Sequence, residues 1–172
     1  MHKASFDAVY GETCRILILG SLPGDRSLAE RQYYGHPRNL FWKLIGRVIG
    51  IDLQPLEYEA RLAALIDHRI GLWDVFASAD RPGSMDAKIA GGVPNDIAGL
   101  CERLPLLRAI AFNGATAFKH GAALVPRKYE RVKLLSSSPA NAGYRFDAKV
   151  GQWCELRRFL PPLLSEQITG RT

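Results

Sequence analysis

The sequence predicts an α/β fold, a three-layer α/β/α arrangement around a short, mainly parallel central sheet of four strands. Three observations predict it. Four short apolar runs have the pattern of strands buried on both faces, and segments with helical spacing of apolar residues lie between them. Strands that alternate with helices are typical of a parallel sheet covered on both sides. Finally, no repeat, linker or low-complexity tract interrupts the 172 residues, so we expect a single domain, 1–172.

Each predicted strand is an apolar run that leads into a loop of small or polar residues. The four runs occupy 15–19, 71–76, 107–112 and 132–135. The predicted helices place apolar residues three and four positions apart. They occupy 39–49, 56–66, 96–104, 115–120 and 147–160. Because the two types of element alternate, we expect the strands to lie parallel and to end at one shared edge of the sheet.

Composition and charge bound the class of protein. With 47% hydrophobic and 23% charged residues, the chain has enough apolar material to form a core and too much to be disordered. The net charge of +6 favours an anionic partner but also fits a role in solubility alone. No signal peptide is seen, and no stretch reaches the roughly 18 apolar residues of a membrane helix. We therefore expect a cytoplasmic monomer without a membrane partner.

The cysteine residues argue against a metal centre or a disulfide framework. Cys14, Cys101 and Cys154 are widely spaced, and neither a CxxC pair nor a histidine at ligand spacing accompanies them. We therefore expect no metal and no cofactor. The chain also lacks the Walker phosphate loop, a GxGxxG after the first strand, the HExxH zinc motif and the GxSxG nucleophile turn.

The loops that follow the four predicted strands share one chemical character. They are 20–27, 77–84, 113–114 and 136–141, and they carry amides, hydroxyls, glycines and prolines. In open α/β sheets, ligands lie at the carboxyl ends of the strands, so these loops predict the position of the site. Groups of this kind can orient water and neutral hydrogen-bonding ligands.

Four motifs in order resemble those of the uracil-DNA glycosylase superfamily. They are Gly-Ser-Leu-Pro-Gly at 20–24, Tyr-Gly-His-Pro-Arg-Asn-Leu-Phe-Trp at 34–42, Phe-Asn-Gly at 112–114 and Ser-Pro-Ala-Asn at 138–141. The first two are similar to the GxNPG and aromatic-x-His-Pro-x-Asn-x-Phe-Trp motifs of the mismatch-specific uracil/thymine branch. The resemblance covers about 15–159, nearly the whole chain.

One departure from the mismatch-specific branch concerns catalysis. The third position of its first motif is the catalytic Asn, whereas this chain has Leu22, which cannot orient a water. The hypoxanthine-DNA glycosylase branch is more similar, and that resemblance implies a catalytic role for Asn39. Because Asn39 precedes a predicted helix, an alternative role is to cap that helix.

The resemblance also implies residues that contact the extruded base. They are Tyr34, Asn113, Gly20, Ser21 and Leu22. Tyr34 would stack on the base, or it could be a core aromatic. Asn113 would read the base edge through its amide, or it could cap the helix predicted from residue 115. His36 is expected to hold its loop rather than to act as a general acid.

A further set is expected to contact the DNA outside the base. It consists of Pro23, Arg38, Arg81, Ser84, Ser138, Pro139, Ala140, Asn141, Tyr144 and Arg145. Arg26 is a further candidate for a phosphate contact. The segment 138–141 lies where the family has its intercalating loop. Asn141, Tyr144 and Arg145 would fill the gap that base extrusion leaves and anchor a phosphate, although they could also form an ordinary polar turn. Residues 81–84 could likewise be a simple turn.

The predicted partner is DNA that contains a deaminated base. The predicted reaction is hydrolysis of the N-glycosidic bond of that base, with hypoxanthine favoured and uracil as an alternative, to leave an abasic site. No lysine stands at a nucleophile position, so strand cleavage is not expected. A non-catalytic nucleic-acid-binding or nucleotide-binding module of the same fold remains a further alternative, and Leu22 is the argument for it.

Overall fold

The computed structural model describes residues 1–163, and its centre is a parallel sheet of four strands. The strands of the chain are β1 His2–Ala4, β2 Ile16–Gly20, β3 Ile70–Asp74, β4 Phe76–Asp80, β5 Ala90–Pro94, β6 Ala109–Asn113 and β7 Glu130–Leu134. The helices are α1 Asp25–Glu30, α2 Phe41–Ile49, α3 Tyr58–Asp67, α4 Ile97–Glu102, α5 Ala115–Gly121 and α6 Phe146–Cys154. The C-terminal part of the predicted domain, 164–172, lies outside the described residues.

The central sheet has the strand order β3-β2-β6-β7, and every neighbouring pair is parallel. Successive residues of a strand point to opposite faces. In β2, Ile16 and Ile18 therefore belong to one apolar cluster, and Leu17 and Leu19 belong to the other. All four side chains are fully buried, which is why the strand reads as a continuous apolar run.

Helices cover both faces of this sheet. On one face, Phe41 of α2 packs edge-on against Trp153 of α6, with ring centroids 5.8 Å apart. On the other face, Leu100 of α4 and Ala117 of α5 are fully buried. The predicted three-layer α/β/α class is therefore confirmed, and the carboxyl ends of β2, β3, β6 and β7 lie at one edge.

Three features differ from the sequence prediction. The run predicted as one strand at 71–76 is divided, because β3 ends at Asp74 and β4 begins at Phe76 in a separate antiparallel sheet of order β1-β4-β5. The predicted loop 20–27 contains the start of α1. The predicted helix 147–160 is α6 followed by a 3₁₀ helix, Glu155–Phe159.

Within 1–163, no helix combines the length and apolar character that spanning a membrane requires.

Candidate active site

A pocket opens where the strands of the central sheet end. Gly20, Asp74 and Asn113 are the last residues of β2, β3 and β6, and all three line it together with residues 136–139 after β7. The cavity volume is about 130 Å³, many times the ~10–15 Å³ that one water needs. The predicted location at the carboxyl edge of the sheet therefore contains a real cavity.

Asn39 lies at this pocket, and its side chain closes a turn that leads into α2. Its Oδ1 accepts the backbone N–H of Phe41, the first residue of α2, at 2.9 Å. Its backbone N–H donates to the carbonyl of His36 at 2.9 Å, which closes the turn before the helix. Within 1–163, no protein acceptor is found for its Nδ2 hydrogens, and the residue lines the pocket. The N-cap of α2 is Leu40, so Asn39 supports the helix start from one residue earlier and keeps its amide nitrogen available to a ligand.

Asn113 is buried, and its amide is held by Ser137. Nδ2 donates to Ser137 Oγ, and Oδ1 accepts the Ser137 N–H. The expected alternative, a cap on α5, is not found, because the residue before that helix is Gly114 and its start has no side-chain cap. Gly114 has φ 99°, a left-handed conformation that glycine adopts without strain, and the chain turns there from β6 into α5.

Tyr34 brings an aromatic ring and a hydroxyl to the pocket. Its ring stacks on Phe41 with centroids 3.9 Å apart, so Phe41 covers one face of the ring. Its backbone φ is 55°, a strained value for a side chain of this size. Burial and the nearby Asp74 carboxyl raise the pKa of Tyr34 well above its usual value, so the hydroxyl keeps its proton.

Gly20 allows the Asp74 carboxyl and the Tyr34 hydroxyl to approach one another. A Cβ at this position would lie 2.7 Å from Asp74 Oδ1 and 3.0 Å from the Tyr34 hydroxyl. Both distances are too short for a carbon atom, so a larger residue would push the two oxygens apart. Glycine at the end of β2 therefore has a packing reason in the pocket itself.

Asp74 is a pocket residue that the sequence analysis missed. Its side chain is buried, and Oδ2 accepts a hydrogen bond from the Ser5 hydroxyl at 3.0 Å. Burial raises the pKa of Asp74 to about 7, and the neighbouring Asp86 raises it further whereas Arg81 lowers it. A polar residue at the end of an apolar strand was the available signal, and it was hidden inside the run 71–76 that was interpreted as one strand.

Arg81 is buried, which argues against the predicted phosphate contact. Its side chain is only 1% exposed, and its guanidinium donates to the carbonyl oxygens of Leu22 and Pro23 and to Asp86 Oδ1 at 2.9 Å. These contacts fix the backbone of the 20–24 loop.

Residues 20–23 of the 20–24 loop are buried. Leu22 is 6% exposed and packs into the apolar cluster beneath the sheet, although it also lines the pocket. Ser21 and Pro23 are buried and line the pocket too. Leu22 occupies its position as a core residue and offers no polar atom to the pocket from its side chain.

Three other residues that were expected to contact the DNA, Ser84, Arg38 and Arg26, are exposed. Ser84 is exposed, and its Oγ accepts the N–H of Asp25 at 2.9 Å at the start of α1. Arg38 is exposed, and its N–H donates to His36 Nδ1 at 3.1 Å, which is the expected loop-holding role of the histidine. Arg26 lines the pocket and is paired with Glu30 at 2.5 Å.

The segment predicted to enter the duplex lies beside the pocket. Ser138 and Pro139 line the pocket itself, and Ala140, Asn141 and Tyr144 line the adjoining cavity, which shares Ser138 and Ser84 with it. Tyr144 is 55% exposed, and Arg145 is exposed immediately before α6. The structure thus brings the predicted wedge residues together next to the pocket.

The sequence analysis also missed the residue that holds this segment. Lys149 of α6 is 1% exposed, and its Nζ donates to the carbonyl oxygens of Ser136 and Asn141, each at 2.8 Å. Burial lowers the pKa of Lys149. One buried ammonium therefore ties the two ends of the 136–141 loop together.

Among residues 1–163, no group of three or more metal-ligating His, Cys, Asp or Glu side chains is found.

Several known proteins are similar in sequence to this chain. The model of the uracil DNA glycosylase superfamily matches residues 8–157. A hypoxanthine DNA glycosylase of Methanosarcina acetivorans is 50% identical over 141 residues, 82% of this chain and 89% of that protein. A hypoxanthine DNA glycosylase of Methanosarcina barkeri is 45% identical over 155 residues, 90% of this chain and 98% of that protein.

A solved structure shows the same likeness in three dimensions. The solution NMR structure of a proposed uracil DNA glycosylase from Methanosarcina acetivorans has a TM-score of 0.83 and 45% sequence identity to this chain. It covers 92% of this chain, and 99% of its own length is covered. The resemblance found in the sequence motifs is therefore confirmed, and this chain belongs to the uracil DNA glycosylase superfamily.

Proposed function

We propose that this protein is a DNA glycosylase that removes hypoxanthine, and with it uracil, by hydrolysing the bond between the base and deoxyribose. The product is an abasic site in an otherwise intact strand. The observation that carries the proposal is the arrangement of Tyr34, Asn39 and Asn113 around one pocket at the ends of the parallel strands. The two relatives that are named hypoxanthine DNA glycosylases support the choice of base.

The pocket suits a base that has left the duplex. Extrusion costs a few kcal/mol and is easiest for a weakened pair, which favours a deaminated base. Once extruded, the base enters a cavity lined by an aromatic ring, Tyr34, and by the amides of Asn39 and Asn113. Asn113 keeps one Nδ2 hydrogen and one Oδ1 lone pair beyond its bonds to Ser137, and these can meet a base edge.

Asn39 is the residue on which the chemical step depends in this proposal. Bond breaking gives an oxocarbenium-like sugar and a departing base that takes the electron pair of the broken bond. The Nδ2 hydrogens of Asn39 are free to donate to that base, and the second lone pair of Oδ1 can hold the attacking water. A donor preorganised in this way costs no rearrangement when charge develops. The water supplies the hydroxyl that bonds to C1′, and its proton leaves with the base.

Exposed basic residues beside the pocket supply the affinity for the DNA backbone. Arg26 lines the pocket. Arg38 is exposed next to the pocket residue Asn39 in the chain, and Arg145 is exposed next to Tyr144, which lines the adjoining cavity. Contacts of this type are independent of sequence and weaken as salt is added. Tyr144, exposed next to them, is placed to enter the space that the extruded nucleotide leaves.

A cleavage assay on defined duplexes tests the proposal. Duplexes that carry hypoxanthine, uracil, xanthine or thymine are incubated with the protein in EDTA, and abasic sites are then cleaved with alkali. We expect strand breaks at hypoxanthine, and more slowly at uracil, only after alkali. Breaks before alkali would contradict a purely hydrolytic enzyme. If no duplex is cleaved while binding persists, the protein is a binding module that retains the fold.

A further inference from the structure

Asp74 is a carboxyl group with no assigned task, buried at the wall of the pocket. It ends β3, beside β2, whose last residue Gly20 also lines the pocket. Oδ2 is directed to the Ser5 hydroxyl at 3.0 Å. Oδ1 lies 2.7 Å from the point that a Cβ of residue 20 would occupy, and the Tyr34 hydroxyl lies 3.0 Å from the same point. One carboxyl oxygen is therefore held by Ser5, and the other lies beside Gly20 and Tyr34, two residues that line the cavity.

Burial, more than any neighbouring charge, favours the neutral form of Asp74. Tyr33 and Tyr34 lie nearby and are themselves neutral, because burial raises the pKa of both. Asp86, also on the pocket wall, adds a negative charge, whereas Arg81 adds a positive one that is shared with the carbonyls of the 20–24 loop. Arg26 and His36 complete the ionisable groups of the wall. Burial is the largest effect on Asp74, and it raises the pKa of this carboxyl to about 7.

We propose that Asp74, as a neutral carboxylic acid, donates its O–H from Oδ1 to the carbonyl oxygen of the extruded base and thereby selects deaminated bases. This inference rests on the proposed function and names the chemistry that the same pocket recognises. Deamination replaces an exocyclic amino group with a carbonyl oxygen in both hypoxanthine and uracil. An O–H donor meets that oxygen favourably, whereas the amino group of an undamaged base would place a donor against a donor.

The neutral acid also fits the charge that develops in the reaction. The departing base becomes anionic, and part of its charge lies on the carbonyl oxygen. An ionised carboxylate at Oδ1 would repel that charge, whereas an O–H donor stabilises it in a site with little water. The proton stays on Asp74 throughout, so the step is a hydrogen bond and not a proton transfer. The Ser5 bond to Oδ2 helps to hold the carboxyl in this orientation.

The dependence of excision on pH gives the first test. We expect the single-turnover rate of the native protein on a hypoxanthine duplex to fall as the pH rises above about 7, because Asp74 then loses its proton. In Asp74→Asn the amide still donates to the carbonyl oxygen and does not titrate, so activity is retained and the alkaline fall disappears. Asp74→Ala should lose ~10²-fold at pH 6. The exposed carboxylate variant Asp80→Asn serves as the matched control and should keep the native pH profile.

The Ser5 contact predicts the direction in which the alkaline fall of the excision rate should move when Ser5 is replaced. The Ser5 hydrogen bond lowers the pKa of Asp74, so Ser5→Ala should move the alkaline fall to higher pH. A fall that stays in place in both Asp74→Asn and Ser5→Ala would overturn the proposal. So would an Asp74→Ala variant that is folded by its melting curve and excises hypoxanthine at the native rate.

A binding measurement separates this inference from the proposed function. A duplex with 2′-fluoro-deoxyinosine resists cleavage and is compared with the same duplex containing deoxyadenosine. At pH 6 the native protein should prefer the inosine duplex by ~10-fold or more, and Asp74→Ala should lose that preference. This result would support the inference even if the native protein cleaved no substrate. A preference that persists in Asp74→Ala would overturn the inference and leave the proposed excision intact.

Discussion

The amide of Asn113 and Ser137 hold each other through two hydrogen bonds, Nδ2 to Oγ at 2.8 Å and the Ser137 N–H to Oδ1 at 2.9 Å. Ser137 is fully buried, and its carbonyl accepts the N–H of Leu40 at 2.9 Å. This one residue therefore connects the end of β6, the loop after β7 and the segment that carries Asn39. The position of the base pocket depends on this connection.

The first prediction concerns that connection. Asn113→Ala should destabilise the protein by ~1–3 kcal/mol, because it leaves the buried N–H of Ser137 without an acceptor. Ser137→Ala removes only the hydroxyl and keeps that N–H paired, so it should cost less. Urea unfolding of the two variants gives the comparison. Equal losses in both would show that the hydroxyl, and not the N–H, carries the stabilisation.

The second prediction separates the two roles of Asn39. Asn39→Ala removes both the hydrogen bond to the Phe41 N–H at the start of α2 and the pocket amide, so it should lose ~1 kcal/mol of stability and lower single-turnover excision ~10²-fold. Asn39→Asp is the matched variant, because its carboxylate still accepts the N–H of Phe41 but offers no N–H donor. It should melt like the native protein and yet excise slowly. An Asn39→Asp variant that is both stable and fully active would contradict the catalytic role.

The sequence predicted the residues at two strand ends of the site but missed a third strand end and one strand. Gly20 and Asn113 were placed correctly at strand ends, because strands buried on both faces leave a clear apolar run that stops at a small or polar residue. Asp74 was missed because the next strand begins only two residues later. β5 was missed because it is fully exposed and contains Gly91 and Gly92, so it has no alternating pattern.

The burial of Arg81 could not be predicted from the sequence around it. Nothing local distinguishes an arginine that binds phosphate from one that is buried, because burial here depends on contacts with Leu22 and Pro23, nearly sixty residues earlier in the chain. Lys149 is similar, since its acceptors lie in the preceding loop and its spacing on α6 resembles that of a solvated lysine. Both cations were recognisable only from the tertiary structure.

The third prediction distinguishes the buried arginine from the exposed one. Arg81→Met should destabilise the protein by ~2–3 kcal/mol, because it leaves the carbonyls of the 20–24 loop unpaired. It should leave the salt dependence of DNA binding unchanged. Arg38→Met should do the reverse, with little effect on stability and a salt slope that is smaller by ~1. DNA affinity measured at several salt concentrations, with melting curves of both variants, decides the matter. A reduced salt slope in Arg81→Met would show that its guanidinium reaches DNA.

The fourth prediction concerns the loop beside the pocket. Replacing Tyr144 and Arg145 together with Ala should slow excision from duplex DNA more than from single strands, because only the duplex must be opened. Lys149→Met should have the same selective effect, since it releases both ends of the 136–141 loop without removing an exposed group. Rates on matched single-stranded and duplex substrates provide the measurement. Equal losses on both substrates would mean that this segment is a general DNA-binding surface.

The last prediction follows from the burial of Asp74 and concerns stability. Because the folded protein raises the pKa of this carboxyl from 3.8 to about 7, the folded state binds the proton more tightly than the unfolded state. The contribution of Asp74 to the free energy of unfolding is therefore fully present below about pH 4, and it is lost as the pH rises towards 7. Asp74→Asn has no such loss. Relative to the native protein, the variant should thus gain up to ~4 kcal/mol in unfolding free energy between pH 4 and pH 8, at ~1.4 kcal/mol for each unit of the shift. Urea unfolding of both proteins across this range measures the difference. A constant difference between them would mean that Asp74 ionises in the folded state at its ordinary pKa.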